Sequence, residues 1–317
     1  MNSIIYTAAR ESAVWRDMSH FGRFRVSGAD AAALLHHLTT NDVKRLKVGE
    51  GSDAVLVNNK ARTLDIVTVL RNANDFLVIT SPNRRPMFAP HAQKFVLFRQ
   101  DIKIEDVSER GALFGVFGPE AAATLKDQGL PAPETQNAPQ QAELGGVALH
   151  IAQTSRLPGG GFLIWSHEGK LPANLSTKPR CDNETYNILR VEAGIPVAGL
   201  EITEDVNPWE AGLSSMISLH KGCYNGQEVI ARLNTYNKVK QQLLGLKLER
   251  TFPMGERAAL KADGKDAGFV TSSVVSPEHG PIGLGFVRGV WTEAGTTLEV
   301  MLGDDAQKAE VTSLPFN

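Results

Sequence analysis

The chain has 317 residues, with 33 Lys and Arg against 35 Asp and Glu and a formal net charge of −2. That balance excludes a strongly basic nucleic-acid binder and an acidic disordered tail, so no direct nucleic-acid partner is expected. At 42% hydrophobic residues the chain can bury sizeable cores, and its length suggests about two or three domains. Met1 to Trp15 lacks a basic run followed by an apolar core, and no apolar stretch reaches the ~18 residues of a membrane helix. A cytoplasmic protein with no membrane partner is therefore expected. The two cysteines, Cys181 and Cys223, sit in no CxxC and beside no His cluster, so neither a disulfide framework nor a metal site is expected.

In chain order, Phe24 and Val26 alternate with Arg23, Arg25 and Ser27, the period of a half-buried strand. Ala31, Leu34, Leu35 and Leu38 follow at helical spacing. Strand-like runs at Ala54 to Val57, Leu64 to Leu70 and Phe76 to Thr80 predict one antiparallel sheet. Pro82, Pro86 and Pro90 interrupt the next segment, so a helix ending near Phe98 starts late or is kinked. Pro131 to Glu143, with three prolines and almost no large apolar residue, reads as a linker beside a domain boundary. Val147 to Ile151 and Phe162 to Trp165 flank a glycine turn as a hairpin does. Asp182 can cap a helix running to Ala193, with Gly194 as its stop. From Gln242 onward, short strands and turns such as Asp263-Gly264 predict a small all-β barrel or sandwich.

Three places invite chemistry. In Lys221-Gly222-Cys223-Tyr224-Asn225-Gly226-Gln227-Glu228, the Asn225 and Glu228 spacing reads as a capping-box variant and predicts a helix from Gly226. The helix start and Lys221 would both favour a Cys223 thiolate, fitting a nucleophile, a redox-sensitive thiol or a metal ligand. The competing reading is a buried small hydrophobe. Glu192 lies in the last turn of its helix, where the macrodipole disfavours a carboxylate; a ligand with donors, a distant Arg or solvent could compensate. Asp65 falls on an apolar strand, where a carboxylate is at a strand end, paired, or used. The glycines between Gly111 and Gly118 lack nucleotide-loop spacing.

The octapeptide resembles the signature of the YgfZ-type folate-binding proteins, relatives of the glycine-cleavage T-protein (aminomethyltransferase). Asp17 to Gly22, Gly28 to Ala31 and Thr40 to Val43 resemble the superfamily's opening segment. Arg190 to Pro196 and the Asp205, Asn207, Pro208 and Glu210 stretch resemble its folate-site region, and Phe269 to Ser272 with Ser313 to Phe316 its C-terminal barrel. The resemblance implies an α+β, three-lobed ring: a discontinuous first domain at 1–48 and 145–240, an inserted α+β domain at 49–144, and a β-barrel at 241–317. It further implies tetrahydrofolate as cofactor in a central channel, with Glu192 on the pterin and Asn207, Tyr224, Gly226, Gln227 and Glu228 among the binding residues. Asp65 falls where the T-protein has an acidic pair, the second member here being Ile66. The T-protein's Arg-Thr-Gly-Tyr-Thr-Gly-Glu run is replaced by Ser155 to Gly161.

The expected function is tetrahydrofolate binding in support of iron-sulfur cluster assembly or repair. Its partners would be client enzymes, tRNA-modifying ones included, or cluster-assembly proteins. Cys223, Lys221 and Asp65 are the working residues. The alternative is a folate-dependent one-carbon transferase of the aminomethyltransferase or demethylase type.

Overall fold

The computed structural model describes residues 2–166, 177–236, 239–253, 255–303 and 305–316. Its elements run α1 (Ser3–Glu11), β1 (Val14–Asp17), β2 (Gly22–Ser27), α2 (Ala31–Leu38), β3 (Gly51–Val57), β4 (Thr63–Arg71), β5 (Asp75–Thr80), α3 (Arg85–Gln93), β6 (Lys103–Asp106), β7 (Ala112–Phe117) and α4 (Ala121–Lys126). They continue with β8 (Gln140–Leu144), β9 (Val147–Thr154), β10 (Gly161–Ser166), α5 (Asn183–Glu192), α6 (Gln227–Thr235), β11 (Gln241–Leu248), β12 (Ala258–Ala262), β13 (Lys265–Ser276), β14 (Gly280–Arg288), β15 (Thr297–Leu302) and β16 (Asp305–Thr312). None of the described helices is long and apolar enough to cross a membrane.

The chain divides into two compact units. The first holds residues 1–58, 64–185 and 215–225, and the second 59–63, 186–214 and 226–317. The first unit carries two five-stranded sheets, ordered β3-β4-β5-β2-β6 and β1-β7-β10-β9-β8. Phe24 and Val26 of β2 stand opposite Val78 and Phe76 of β5. All four pack into one core with Leu34, Leu35 and Leu38 of α2, which is why the two sequence periods occur where they do. The glycine-turn hairpin forms between β9 and β10, and Asp182 accepts from the Thr185 amide at 2.7 Å as the α5 cap.

In the second unit the last six strands close into a barrel, β11-β14-β13-β12-β15-β16. Closure leaves no free edge. Gly268, at φ 128°, lies where an added Cβ would stand 1.9 Å from the Phe286 carbonyl oxygen, so only glycine permits that approach of β13 to β14.

The β2–β5 pairing joins strands on either side of the expected bound at 48/49, and the β8–β9 pairing spans that at 144/145. Two expectations are corrected. Pro131 to Glu143 is not a linker: it contributes the first residues of β8 and a buried Asn137, held by polar side-chain contacts that apolar patterning does not register. Finally, α3 ends at Gln93, short of Phe98, with Pro86 in its first turn and Pro90 inside it.

Candidate functional site

The first unit buries two carboxylates beside an arginine. Asp65, on β4, is fully buried, its Oδ1 accepting from the Ile66 amide at 2.8 Å and its Oδ2 from the Ser81 amide at 2.9 Å. Burial pushes its carboxyl above the usual range, opposed by the Ser81 hydrogen bonds and the charge of Arg156. Asp53, on β3, is satisfied outright: it accepts from the Thr68 hydroxyl at 2.6 Å, Gln136 Nε2 at 3.1 Å and Asn137 Nδ2 at 3.0 Å. Because Thr68 gives its proton to Asp53, its oxygen is free to accept from Arg156 Nη1 at 3.1 Å. Arg156 is half-buried in the turn between β9 and β10. Sequence reasoning found Asp65 but missed Asp53, Ser81, Gln136, Asn137 and Arg156. Asp53 could have been found, since it interrupts an apolar strand as Asp65 does.

The octapeptide is built differently from its sequence reading. Lys221 is buried, and its ammonium donates to the carbonyls of His36 at 2.6 Å, Thr39 at 2.6 Å and Asn41 at 2.8 Å. All three protons are thus committed to the C-terminal end of α2, where the helix dipole favours a cation. Its nitrogen also lies 4.6 Å from the Tyr224 ring centroid. Burial pulls Lys221 down to about 7, with the Asp42 carboxylate opposing. Lys221, expected to favour a Cys223 thiolate, thus also staples the loop that carries the cysteine to the end of α2.

The capping box is corrected. Asn225 donates from Nδ2 to the Val57 carbonyl at 3.0 Å, while Gly226, at φ 75°, is the cap of α6 without any side-chain hydrogen bond. Glu228 is exposed and pairs with Arg232 one turn on at 3.7 Å. Burial pushes the Tyr224 hydroxyl up to about 12. Cys223 itself is exposed, which removes the buried-hydrophobe reading.

In the second unit, Glu192 is buried and its Oε1 accepts from the Ser276 hydroxyl at 2.6 Å, so the solvated helix-end reading fails. Two residues earlier, Arg190 is buried with Glu201 at 3.0 Å. Thr271 at 2.8 Å and Ser272 at 2.5 Å complete the Glu201 carboxylate, making a closed ion pair. Asn207 Oδ1 accepts from the Trp209 and Glu210 amides at 3.0 and 3.1 Å, while the Asn207 amide donates to Glu210 Oε2 at 3.0 Å. This reciprocal cap orders the turn that sequence reading assigned to binding.

Comparison with known proteins agrees with this layout. The GCVT N-terminal domain family matches residues 6–155, and the glycine cleavage T-protein C-terminal barrel domain matches residues 241–317. A chloroplastic protein of Arabidopsis thaliana, named as a candidate transferase, is 32% identical over 305 residues, covering 91% of this chain and 68% of the relative. The aminomethyltransferase of Deinococcus deserti is 30% identical over 329 residues, 98% of this chain and 87% of the relative. Among solved structures, the glycine cleavage system aminomethyltransferase T from Bartonella henselae superposes with a TM-score of 0.84 at 26% identity, covering 99% of this chain and 89% of that one. Sheets, closed barrel and full-length similarity together make this chain a member of the glycine-cleavage T-protein (GCVT) family, an aminomethyltransferase-like protein.

Proposed function

We propose that this protein binds tetrahydrofolate and serves a one-carbon transfer of the aminomethyltransferase type. The carrying observation is Asp65, a fully buried carboxyl on an otherwise apolar strand, pushed above the ordinary carboxylate range by burial, an environment that suits a group meant for proton transfer. When bound, the reduced folate supplies the nitrogens that take up the one-carbon unit. Within the second unit, Glu192 fits such a ligand: its buried carboxyl can accept from pterin N–H groups. The position after Asp65, acidic in the T-protein pair that the resemblance implies, is Ile66 here. The two amide contacts of Asp65 fix the carboxyl plane, so proton traffic is directed to one geometry.

Tetrahydrofolate and an aminomethyl donor, mixed with the purified protein, test the reading. Methylene-folate should form with the wild type, and Asp65→Asn should abolish turnover while leaving folate binding in place. Equal turnover in the variant would remove Asp65 from the chemistry.

A second reading, support of iron-sulfur clusters in client enzymes, is favoured by one feature: an exposed thiol, Cys223, on a loop pinned by Lys221 and Asn225. Here Cys223→Ser should retain fold and folate binding but fail to restore cluster-dependent enzymes, tRNA-modifying ones included, in a deletion strain. Full complementation at native expression would exclude this role.

A further inference from the structure

We propose that His36, oriented by Asp42, is the proton acceptor for the Cys223 thiol, and that the loop carrying Cys223 is a site of thiol–disulfide exchange with small disulfides. The assignment stands apart from the folate reading. It gives a reaction to the exposed thiol of the second reading, and it holds or fails without any cluster-dependent enzyme.

The loop is tied at both feet to the C-terminal end of α2. Before Cys223, Lys221 donates to the His36 carbonyl at 2.6 Å; after it, the Asn225 amide donates to the His37 carbonyl at 2.9 Å. Between these ties Tyr224 is buried, while Gly222 and Cys223 are exposed. The His36 side chain faces the same short span. A Cβ built on Gly222 would stand 3.6 Å from His36 Nε2, and among the described residues no other heavy atom outside 221–223 lies within 4 Å of that point. Glycine at 222 thus leaves uncovered the edge of the imidazole that faces the loop of the thiol.

His36 is only 6% exposed, and its Nδ1 lies 3.2 Å from Asp42 Oδ1. Facing a carboxylate, Nδ1 keeps its proton, so the Nε2 lone pair is turned toward Gly222, where no described residue hydrogen-bonds to it. Burial, and then the charge of Lys221, hold His36 below the ordinary imidazole range against the opposing Asp42, so the ring is neutral near pH 7 and can take a proton. The other charged or titratable groups here are Lys44, Arg45, 3.2 Å from Asp42 Oδ2, and His37, whose ring packs on Phe95. A thiol, a base on the loop's inner side and a carboxylate behind the base are the parts of an activated nucleophile. Attack at sulfur develops no oxyanion, so it suits a loop whose Lys221 protons and Asn225 amide are already committed. In the step, the Cys223 thiol passes its proton to His36 Nε2, directly or through one water, and the thiolate bonds to one sulfur of the disulfide. The other sulfur leaves with the electron pair and takes the proton from His36, so one disulfide is consumed and one mixed disulfide formed. Burial pushes the Cys181 thiol up to about 12, which leaves release of the mixed disulfide to a second thiol from solution.

The test is the rate of exchange with dipyridyl disulfide, an uncharged probe whose released thione is read by absorbance, on the full-length protein from pH 6 to 9. Cys223→Ser supplies the background from Cys181. In the wild type the rate should rise with an apparent pKa well below the value of about 8.5 for an ordinary cysteine. His36→Gln should return the profile to that ordinary value and slow exchange at pH 7 by at least about threefold, the gain in thiolate being partly offset by its lower nucleophilicity. His37→Gln, one position on, should leave the profile where it is. Lys221 is present in every variant, so its own titration cancels in the comparison. A wild-type profile at the ordinary value overturns the assignment, and so does a His36→Gln profile that matches the wild type or a His37→Gln profile that shifts as far as that of His36→Gln. Should His36→Gln not fold, Asp42→Asn removes the carboxylate that orients the ring and should move the profile the same way; an unchanged profile there overturns the assignment equally. Complementation of a deletion strain by Cys223→Ser decides the second reading separately, whatever the exchange rates show.

Discussion

Cys223 and Cys181 carry the same functional group in opposite surroundings. Burial pushes the Cys181 thiol up to about 12, while Cys223 is exposed. Since the thiolate is the nucleophile, alkylation with iodoacetamide near neutral pH should label Cys223 well before Cys181, read by peptide mass mapping. Preferential labelling of Cys181 would contradict the burial of the two sites. Lys221 makes a second prediction, through linkage. Its folded value, lowered to about 7, lies below the 10.5 of an unperturbed lysine, so between those limits the unfolded chain holds a proton that the folded chain has released. Stability from this group therefore rises with pH across that window, by at most about 1.4 kcal/mol per pH unit for one proton. In Lys221→Met the slope of unfolding free energy against pH from 7 to 10 should be shallower than in the wild type. An identical slope would show that the ammonium stays protonated against its three carbonyls.

At the level of elements, the segment from Pro131 to Glu143 shows what periodicity cannot see. Asn137 is buried, donates to Asp53 and adopts φ 56° in the left-handed region. Asn137→Ala should lose about 1 to 3 kcal/mol for the broken hydrogen bond to a buried charge, and further stability for a β-carbon in that conformation. Asn137→Gly should recover the conformational part alone, so urea midpoints should fall in the order wild type, Gly, Ala. The strands, α2, the glycine-turn hairpin and the C-terminal barrel were legible because each buries a face whose period is written in consecutive residues. The same reasoning singled out Asp65, a charge interrupting such a face. It could not show how Lys221 is held, because that residue's acceptors lie 180 to 185 positions away in the chain, where local spacing carries no information. Arg156 and Gln136 were missed for the same reason: an arginine or glutamine in a loop is ordinary until the fold brings β3 and β4 to it.

For the whole molecule, family membership settles the fold over nearly the full length, while chemistry belongs to particular side chains set on that fold. Each unit buries an acidic group of its own. Asp65 of the first is raised by desolvation and held by backbone amides, whereas Glu192 of the second is held by the Ser276 hydroxyl. A carboxylate buried at a helix end, against the dipole, is costly to keep unless it serves a ligand, so reduced-folate affinity should depend on it directly. Glu192→Ala should weaken tetrahydrofolate binding by about 1.5 to 3 kcal/mol, the range for a hydrogen bond to a charged group. Because a ligand selective for the native state stabilises it by mass action, the wild type at a hundredfold excess over Kd should gain about 2.7 kcal/mol against unfolding, and the variant much less at the same concentration. Calorimetry without folate and thermal unfolding of both proteins separate the two effects. A variant that keeps its unliganded Tm but loses the folate-induced shift places Glu192 in binding; one that loses Tm alone places it in the scaffold with Ser276.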